Sequence, residues 1–241
     1  MDDINVSVSN PNEGIREMNF FQRASGIILS PAETMKNLAQ KPRILFPILA
    51  AIFGVAAFYL IRFPLYEEFL MKTLETGMAQ KNIQLTPEQL QTTYDMSKVI
   101  GLVTTPITTA FFWILSTAVI FGLTKLFKGQ GSFKQMLSVT GYAYTIMLVY
   151  YIISIIVSFF SGQLMFDNSL ANISNIFAPD MKGTFIYGIL RGIDLFSIWY
   201  YTVMAIGVYA VTGLSKAKSY SIVYAIYIAM MLLSVNAYKN M

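Results

Sequence analysis

Arg191 and Asp194 lie three residues apart at the front of a strongly apolar run, RGIDLFSIWYYTVMAIG, that covers residues 191–207. Side chains at i and i+3 are neighbours on a helix, so this arginine and aspartate can form an ion pair. A charge at the centre of a bilayer costs about 2.5 to 3.5 kcal/mol on insertion scales, and intramembrane charges therefore tend to mark transport pathways. The depth of the pair decides whether it is a transport site or an anchor.

Pro106, within TTPITT at 104–109, is a second candidate. Proline removes one helical hydrogen bond and bends the helix, and neighbouring threonines can bond the freed carbonyl or an adjacent helix. We favour a bend packed inside a bundle over a substrate path. A third candidate, KGQGSFKQ at 128–135, lacks the terminal Gly-Lys-Ser/Thr of a phosphate-binding loop. Its Ser132 and Gln135 instead predict a helix cap.

The composition indicates an integral membrane protein. Of the 241 residues, 55% are hydrophobic and only 12% are charged, whereas about 25% are charged in average soluble proteins. Without cysteine or histidine, the chain has no thiolate or imidazole catalyst and no Cys/His zinc site. We therefore expect no enzymatic activity and no cofactor. The net charge of +4 comes from dispersed basic residues, which argues against nucleic acid as a partner.

Five apolar stretches are long enough to cross a bilayer, whose core of about 30 Å needs about 20 helical residues. The predicted fold is all-α, a polytopic bundle of five transmembrane helices within residues 20–241, after a flexible cytoplasmic tail at 1–19. In the fourth span, counting back from Leu214 places the start near Leu195, so that Arg191 and Asp194 pair at the outer boundary. The predicted spans cover about residues 44–63, 99–121, 136–160, 195–214 and 219–238.

The distribution of lysine and arginine predicts the orientation, because cytoplasmic loops carry an excess of them. One side of the membrane holds ten of the 17 basic residues and the other holds seven. We expect the N-terminus in the cytoplasm and, after an odd number of spans, the C-terminus outside, in the plasma membrane of a prokaryote. The ten are Arg16, Arg23, Lys36, Lys41, Arg43, Lys125, Lys128, Lys134, Lys216 and Lys218.

Two segments outside the spans carry helix-start signals. Ser30, Pro31 and Glu33 supply an N-cap, a proline at the first helical position and an acid three residues after the cap. The helix that they begin is predicted to be a short cytoplasmic one, lying along the headgroups or packed on the ends of the bundle. In the outer loop at about 65–98, a second start at Thr86 predicts two short amphipathic helices. This loop is either a contact surface for a partner or a solvated hairpin of no special function.

Small residues recur four positions apart in several spans, and such faces let helices approach closely. They indicate a tight bundle or an oligomer. The pairs and triplet are Ala50 and Gly54, Ser154, Ser158 and Gly162, Gly188 and Gly192, and Ala225 and Ala229.

Three stretches and the spacing of the spans resemble the Yip family. The stretches are IILSPAETMKNLAQKPRILFPIL, KGQGSFKQMLSVTGYA and LRGIDLFSIWYYTVMAIGVYAVTGLSKAKSYSI. Yip proteins are five-span membrane proteins named for binding Rab-type GTPases in eukaryotes, and some prokaryotic relatives accompany ABC-type exporters. The chain is similar to the prokaryotic branch, and no residue can be matched to Rab binding. It departs from its relatives in lacking a proline shortly after the Gly-Tyr-Ala of the third span.

The favoured function is an integral membrane scaffold or accessory subunit. Its expected partners are the lipid bilayer and another membrane protein, for which the resemblance implies an exporter component, or a second copy of the chain. The alternative is a small transporter or channel that acts as an oligomer, based on Pro106, Arg191 and Asp194. The structural or docking candidates are Arg191, Asp194, Pro106, Ser30, Pro31 and Glu33.

Overall fold

The computed structural model describes residues 18–80, 86–162, 164 and 167–238, so nearly all of the predicted tail at 1–19 lies outside it. The described part is helical, as predicted, and its β pairing is limited to one antiparallel bridge between Ser169 and Asp194. The helices are α1 Phe20–Leu29, α2 Pro31–Gln40, α3 Leu45–Leu49, α4 Val55–Ile61, α5 Phe63–Gln80, α6 Pro87–Leu126, α7 Phe133–Ala143, α8 Thr145–Ser161, α9 Leu170–Phe177, α10 Phe185–Arg191, α11 Leu195–Thr212 and α12 Lys216–Tyr238.

Four helical rods in the described residues are long and apolar enough to cross a membrane. They are α6, the α7–α8 rod Phe133–Ser161, α11 and α12. A π-helical stretch, Ala50–Gly54, joins α3 to α4 in the α3–α4 rod, Leu45–Ile61. This rod meets α2 at a bend of 113°, and counting the bent pair as one span brings the number to five. The polytopic helical class is therefore confirmed, and the count of five spans stays a prediction.

The N-terminal helices pack on one end of the bundle. Ile27, Met35 and Leu38 are fully buried in a core that they share with α7 and α11. A Cβ at Gly207 of α11 would lie 2.7 Å from the Cβ of Val139, so the glycine is needed for this close packing. Of the two placements that its sequence allows, α2 adopts the one on the bundle. The apolar side chains that α1 exposes at this end are Phe20, Phe21, Ile28 and Leu29.

Hydrogen bonds bring three separate segments together at that end. The Gln135 amide donates to the carbonyl of Ala39 at 2.6 Å. Ser138 accepts the Arg43 N–H at 3.0 Å and donates to the Arg43 carbonyl at 3.1 Å. The α6–α7 loop also bonds the end of α11. The N-terminal segment, the α6–α7 loop and the α11–α12 loop are thus grouped, and they are the segments that the lysine and arginine distribution places on one side of the membrane.

A buried polar cluster ties α6 to the α7–α8 rod. The indole N–H of Trp113 donates to the Thr140 hydroxyl at 3.1 Å, and Thr117 and Thr140 share a hydrogen bond of 2.8 Å. The α7–α8 rod contains a tight turn at Tyr144, where the N–H bonds the Gly141 carbonyl at 3.1 Å.

The outer loop differs from the prediction of two short helices. α5 is one such helix. The second start is confirmed at Thr86, whose hydroxyl accepts the Gln89 N–H while the Gln89 side chain accepts the Thr86 N–H. The prediction that this helix is short is wrong, because α6 continues for 40 residues into the predicted second span. At 1.5 Å per residue it is about 60 Å long, twice the thickness of a bilayer core.

Candidate functional site

Arg191 does not pair with Asp194, which corrects the prediction. Its Nη1 donates to Oδ2 of Asp167 at 2.7 Å, and both side chains are mostly buried. The i,i+3 geometry fails because α10 ends at Arg191, and Asp194 has the extended backbone angles φ −136° and ψ 157°. The sequence offered no local signal for the true partner, which lies 24 residues upstream.

Asp194 caps the N-terminus of α11. Its Oδ1 accepts the N–H of Ser197 at 2.9 Å and the side-chain amide of Asn168 at 3.2 Å. α11 begins at Leu195, the residue near which the fourth span is predicted to start. An aspartate directly before an apolar helical run is a recognised N-cap signal, so the residue's role was readable from the sequence, although an ion pair was assigned to it instead.

Arg191 and Asp194 belong to a wider set of loop contacts that we call the loop clasp, comprising Asp167, Asn168, Ser169, Arg191 and Asp194. Oδ1 of Asp167 accepts both the N–H and the hydroxyl of Ser169, at 3.0 and 2.5 Å. The Leu170 N–H bonds the Ile193 carbonyl at 3.0 Å. The clasp therefore holds the segment after α8 against the start of α11.

A small cavity of about 210 Å³ lies beside the loop clasp, lined in part by Arg191, Asp194, Tyr201 and Tyr227. Ligand pockets are generally about 300–1,000 Å³, so this cavity is small for an organic substrate. The Tyr227 hydroxyl donates to the Gly192 carbonyl at 2.7 Å, which joins α12 to the same loop. The cluster stabilises the fold, because Arg191 is paired with Asp167 and the Asp194 carboxylate accepts hydrogen bonds from Ser197 and Asn168.

Pro106 is buried, and α6 runs through it without a break. The hydroxyls of the neighbouring Thr104 and Thr108 donate to the carbonyls of Ile100 and Thr104 in the same helix, at 2.5 and 2.8 Å. These bonds lie within α6 and do not connect it to another helix. The part that Pro106 plays in bending or docking this helix stays a prediction.

The helix predicted to start at Pro31 does begin there, but Ser30 makes no side-chain capping bond. The prediction that the Ser30 side chain caps α2, with Glu33 three residues later, is therefore wrong. Ser30 also ends α1, and its N–H is committed to the Gly26 carbonyl at 2.8 Å. One residue thus terminates a helix and begins the next, with φ −145° and ψ 63°, outside the extended region that a side-chain cap requires. Glu33 is exposed on α2.

The glycine-rich KGQG loop is a structural connection between α6 and α7. The ammonium of Lys125 donates to the carbonyls of Gly129 and Gly131, at 3.2 and 2.9 Å. The Gln130 N–H bonds the carbonyl of Thr212 at 2.8 Å. The predicted cap is present, with the Ser132 hydroxyl accepting the N–H of Gln135.

The outer hairpin, residues 63–80 and 86–98, lacks the internal packing of the rest of the chain. No described side chain of α5 is buried, and Tyr94 is the only buried one in residues 86–98. Burial raises the pKa of Tyr94 to about 12, and the nearby Glu67 carboxylate adds to the rise. Phe69 and Met96, which lie outside the predicted spans, are 46% and 59% exposed. The hairpin thus presents apolar side chains outside the predicted spans.

The small-residue faces divide into two groups. A Cβ at Gly54 would lie 2.6 Å from Leu148, and one at Gly188 would lie 2.7 Å from the carbonyl oxygen of Val235, so these glycines serve packing within the bundle. Ala225 and Ala229 of α12 are instead exposed on the outside of the chain.

Comparison with known proteins identifies a family. The model of the Yip1 domain matches residues 25–237. An uncharacterized protein of Methanocaldococcus jannaschii is 31% identical over 78 residues, which are 32% of this chain and 55% of that protein. The chain therefore matches about half the length of that curated relative. No solved structure matches the chain.

Proposed function

The chain belongs to the Yip1 domain family, and from this premise we propose that it is a membrane scaffold or accessory subunit that binds another integral membrane protein and has no enzymatic activity. Its class is not in question, because the family and the apolar helices make it an integral membrane protein in a lipid bilayer. What it binds is the proposal.

The outer hairpin is the observation that carries this proposal. Isolated helices gain most of their stability in proteins from packing of an apolar face, and the hairpin buries a single side chain in residues 86–98 and none in α5. Exposed Phe69 and Met96 supply the aromatic and flexible apolar side chains that are enriched in protein interfaces. A partner that covers them supplies the packing that the chain itself does not provide.

The class of partner rests on the resemblance to prokaryotic Yip proteins. Some of these accompany ABC-type exporters, so an exporter component is the partner that we propose, within the plasma membrane of a prokaryote. A second copy of the chain is the other candidate, and the exposed Ala225 and Ala229 of α12 fit close contact between helices. The proposed orientation keeps the N-terminus in the cytoplasm and the outer hairpin outside.

The transporter or channel alternative has weaker support. Its candidate charges are both engaged, Arg191 by Asp167 and Asp194 by the start of α11. A charge that moves a substrate must be able to exchange its partner, whereas these two hold loops in place. Pro106 remains the feature that favours this alternative, because broken or bent helices recur in transport proteins.

Purification in a mild detergent, after cross-linking in the native membrane, tests the proposal. We expect a second membrane protein, or a second copy, to be recovered with the chain. Substituting Phe69→Ala together with Met96→Ala should reduce its recovery about tenfold or more, as for two interface side chains worth above 1 kcal/mol each. Thr73→Ala is the matched control, because Thr73 is exposed in the same helix and its hydroxyl donates to the backbone carbonyl of Phe69, which the Phe69→Ala change leaves in place. Recovery of free monomer alone would contradict the proposal.

Flux into proteoliposomes tests the alternative. If Arg191→Ala and Asp194→Asn abolished transport while Asp167→Asn retained it, a transport site would be favoured over a purely structural role. Equal flux in all of these proteins and in protein-free vesicles would remove the transporter hypothesis.

A further inference from the structure

An open groove runs along the outside of the bundle between α1, the α3–α4 rod and the α7–α8 rod. Its volume is about 800 Å³, within the range of ligand pockets. Most of its lining is apolar, and two arginines, Arg23 from α1 and Arg43 just before α3, lie at the end nearest the N-terminal helices. The groove therefore combines a cationic end with an apolar remainder.

Hydrogen bonds hold the side chain of Arg23 and the backbone of Arg43. The Nε of Arg23 donates to Oδ1 of Asn37 at 3.1 Å, which uses one of the five N–H donors of the guanidinium. The backbone N–H and the carbonyl of Arg43 both hydrogen-bond the Ser138 hydroxyl, while the Arg43 side chain is exposed. Within residues 18–80, 86–162, 164 and 167–238, neither guanidinium lies within ion-pair distance of a carboxylate. Arg43 is exposed, whereas Arg23 is only 6% exposed, so an anion reaches Arg23 through the groove that it lines.

The apolar part of the groove has the length of one leaflet. Leu45, Leu49 and Phe53 follow one another at four-residue intervals along the α3–α4 rod and are 69%, 42% and 64% exposed. From Leu45 to Gly54 the helix rises about 14 Å, close to half of a bilayer core of about 30 Å. At its far end Gly54 brings the rod against Leu148, which closes the groove.

We propose that this groove holds one anionic phospholipid from the leaflet at the end of the N-terminal helices. The phosphate lies at Arg23 and Arg43, and one acyl chain lies along Leu45, Leu49 and Phe53. A guanidinium group is well suited to phosphate, because its planar N–H donors can bind two oxygens at once. A free phosphate does not contact the apolar lining of the groove. A lipid without net charge does not benefit from the positive charge of the two arginines. The lipid site is independent of the proposed partner.

Native mass spectrometry tests the site, with the chain released from micelles that contain equal amounts of phosphatidylglycerol and phosphatidylcholine with identical acyl chains. We expect one phosphatidylglycerol to be retained in preference to phosphatidylcholine. Arg43→Gln should lower the retained phosphatidylglycerol about tenfold, the loss of one charge-assisted contact. Lys134→Gln is the matched control, since it removes one exposed charge at the same end but outside the groove, and it should keep the preference.

A second pair of variants tests the acyl-chain part. Leu49→Trp fills the groove and should reduce retention of both lipids, whereas Ile48→Trp, a similarly exposed neighbour that does not line the groove, should not. Equal retention of both lipids by the unaltered chain would overturn the proposal, and so would equal losses in Arg43→Gln and Lys134→Gln. The acyl-chain assignment would be wrong if the Leu49→Trp and Ile48→Trp variants lost lipid equally, or if inorganic phosphate displaced the lipid. Either result would also exclude a phospholipid as the occupant.

Discussion

The carboxylate of Asp194 explains how a charged residue can stand at the front of an apolar helix. The first four N–H groups of a helix have no intrahelical acceptor, and they are costly to leave unbonded near a membrane. Asp194 accepts one of them from Ser197 and also benefits from the positive end of the helix dipole. Arg191 is neutralised separately by Asp167. At the residue scale, each charge is thus accounted for by a local contact in the loop clasp.

The cap role predicts that Asp194→Ala destabilises the folded chain by about 1 kcal/mol, measured by thermal unfolding in detergent. Asp194→Asn should stay close to the unaltered chain, because an amide oxygen can still accept the Ser197 N–H. Asp180→Ala, at an exposed position of the short 3-10 helix Pro179–Met181, is the control and should have little effect. If the asparagine variant were as unstable as the alanine variant, the negative charge and not the cap would be the important property.

A double-mutant cycle separates the two possible partners of Arg191. Combining Arg191→Gln with Asp167→Asn should give a coupling free energy of about 1 kcal/mol, as for a well-formed, partly exposed ion pair. The same cycle with Asp194→Asn should give a coupling near zero. The reverse order of the two coupling energies would restore the pairing that the sequence spacing suggests.

Residue-scale features differed in how far they could be predicted from the sequence. The caps at Thr86 and Ser132 were predictable, since each involves a partner three residues away. The pairing of Arg191 with Asp167 was not, because it depends on how the segment after α8 folds back onto α11. At Ser30 the start of α2 was predicted correctly but the side-chain cap bond was not, because the same residue also ends α1.

At the scale of elements, the 40-residue length of α6 is the main departure from expectation. Hydropathy marks where a helix enters the bilayer, but it does not mark where the helix begins. Nothing between Pro87 and Val99 breaks a helix, and the first glycine comes only at Gly101. The short amphipathic helix predicted after Thr86 therefore continues without a break into the predicted second span, and the outer hairpin joins that span directly.

The KGQG loop gives a prediction at the same scale. Gly131 has φ 81°, and a Cβ there would lie 2.8 Å from the carbonyl oxygen of Val211. Gly131→Ala should lower stability by about 2 kcal/mol or more, because it combines left-handed strain with steric overlap. Gly122→Ala is the matched control: this glycine has no heavy atom near its would-be Cβ, so the change should be neutral or stabilising. Similar melting temperatures for the two variants would contradict the docking of this loop on α11.

At the scale of the whole molecule, the two ends of the bundle have different contents. One end gathers α1, α2 and the loops after α6 and α11, and the other carries the outer hairpin and the loop clasp. The sequence predicted this division from its basic residues, because charge asymmetry is a property of loops and needs no tertiary information. It could not predict that α2 packs into the core, since the pattern of its apolar positions fits a headgroup surface equally well.

Labelling of single cysteines tests the orientation, and the absence of natural cysteine makes every introduced thiol unique. Glu75→Cys in the outer hairpin should react with a membrane-impermeant maleimide in intact cells. Lys218→Cys, exposed at the opposite end, should react only after permeabilisation. Labelling of both, or of Lys218→Cys alone in intact cells, would reverse or refute the proposed orientation.

The scaffold proposal depends most directly on whether the outer hairpin touches another protein in its native membrane. A photoreactive amino acid placed at Phe69 measures this, with Leu126 at the opposite end of α6, which is 79% exposed, as the control position. We predict a defined protein adduct from position 69 and none of the same mass from position 126. Absence of any protein adduct from position 69, in a chain that purifies as a monomer, would contradict the scaffold function.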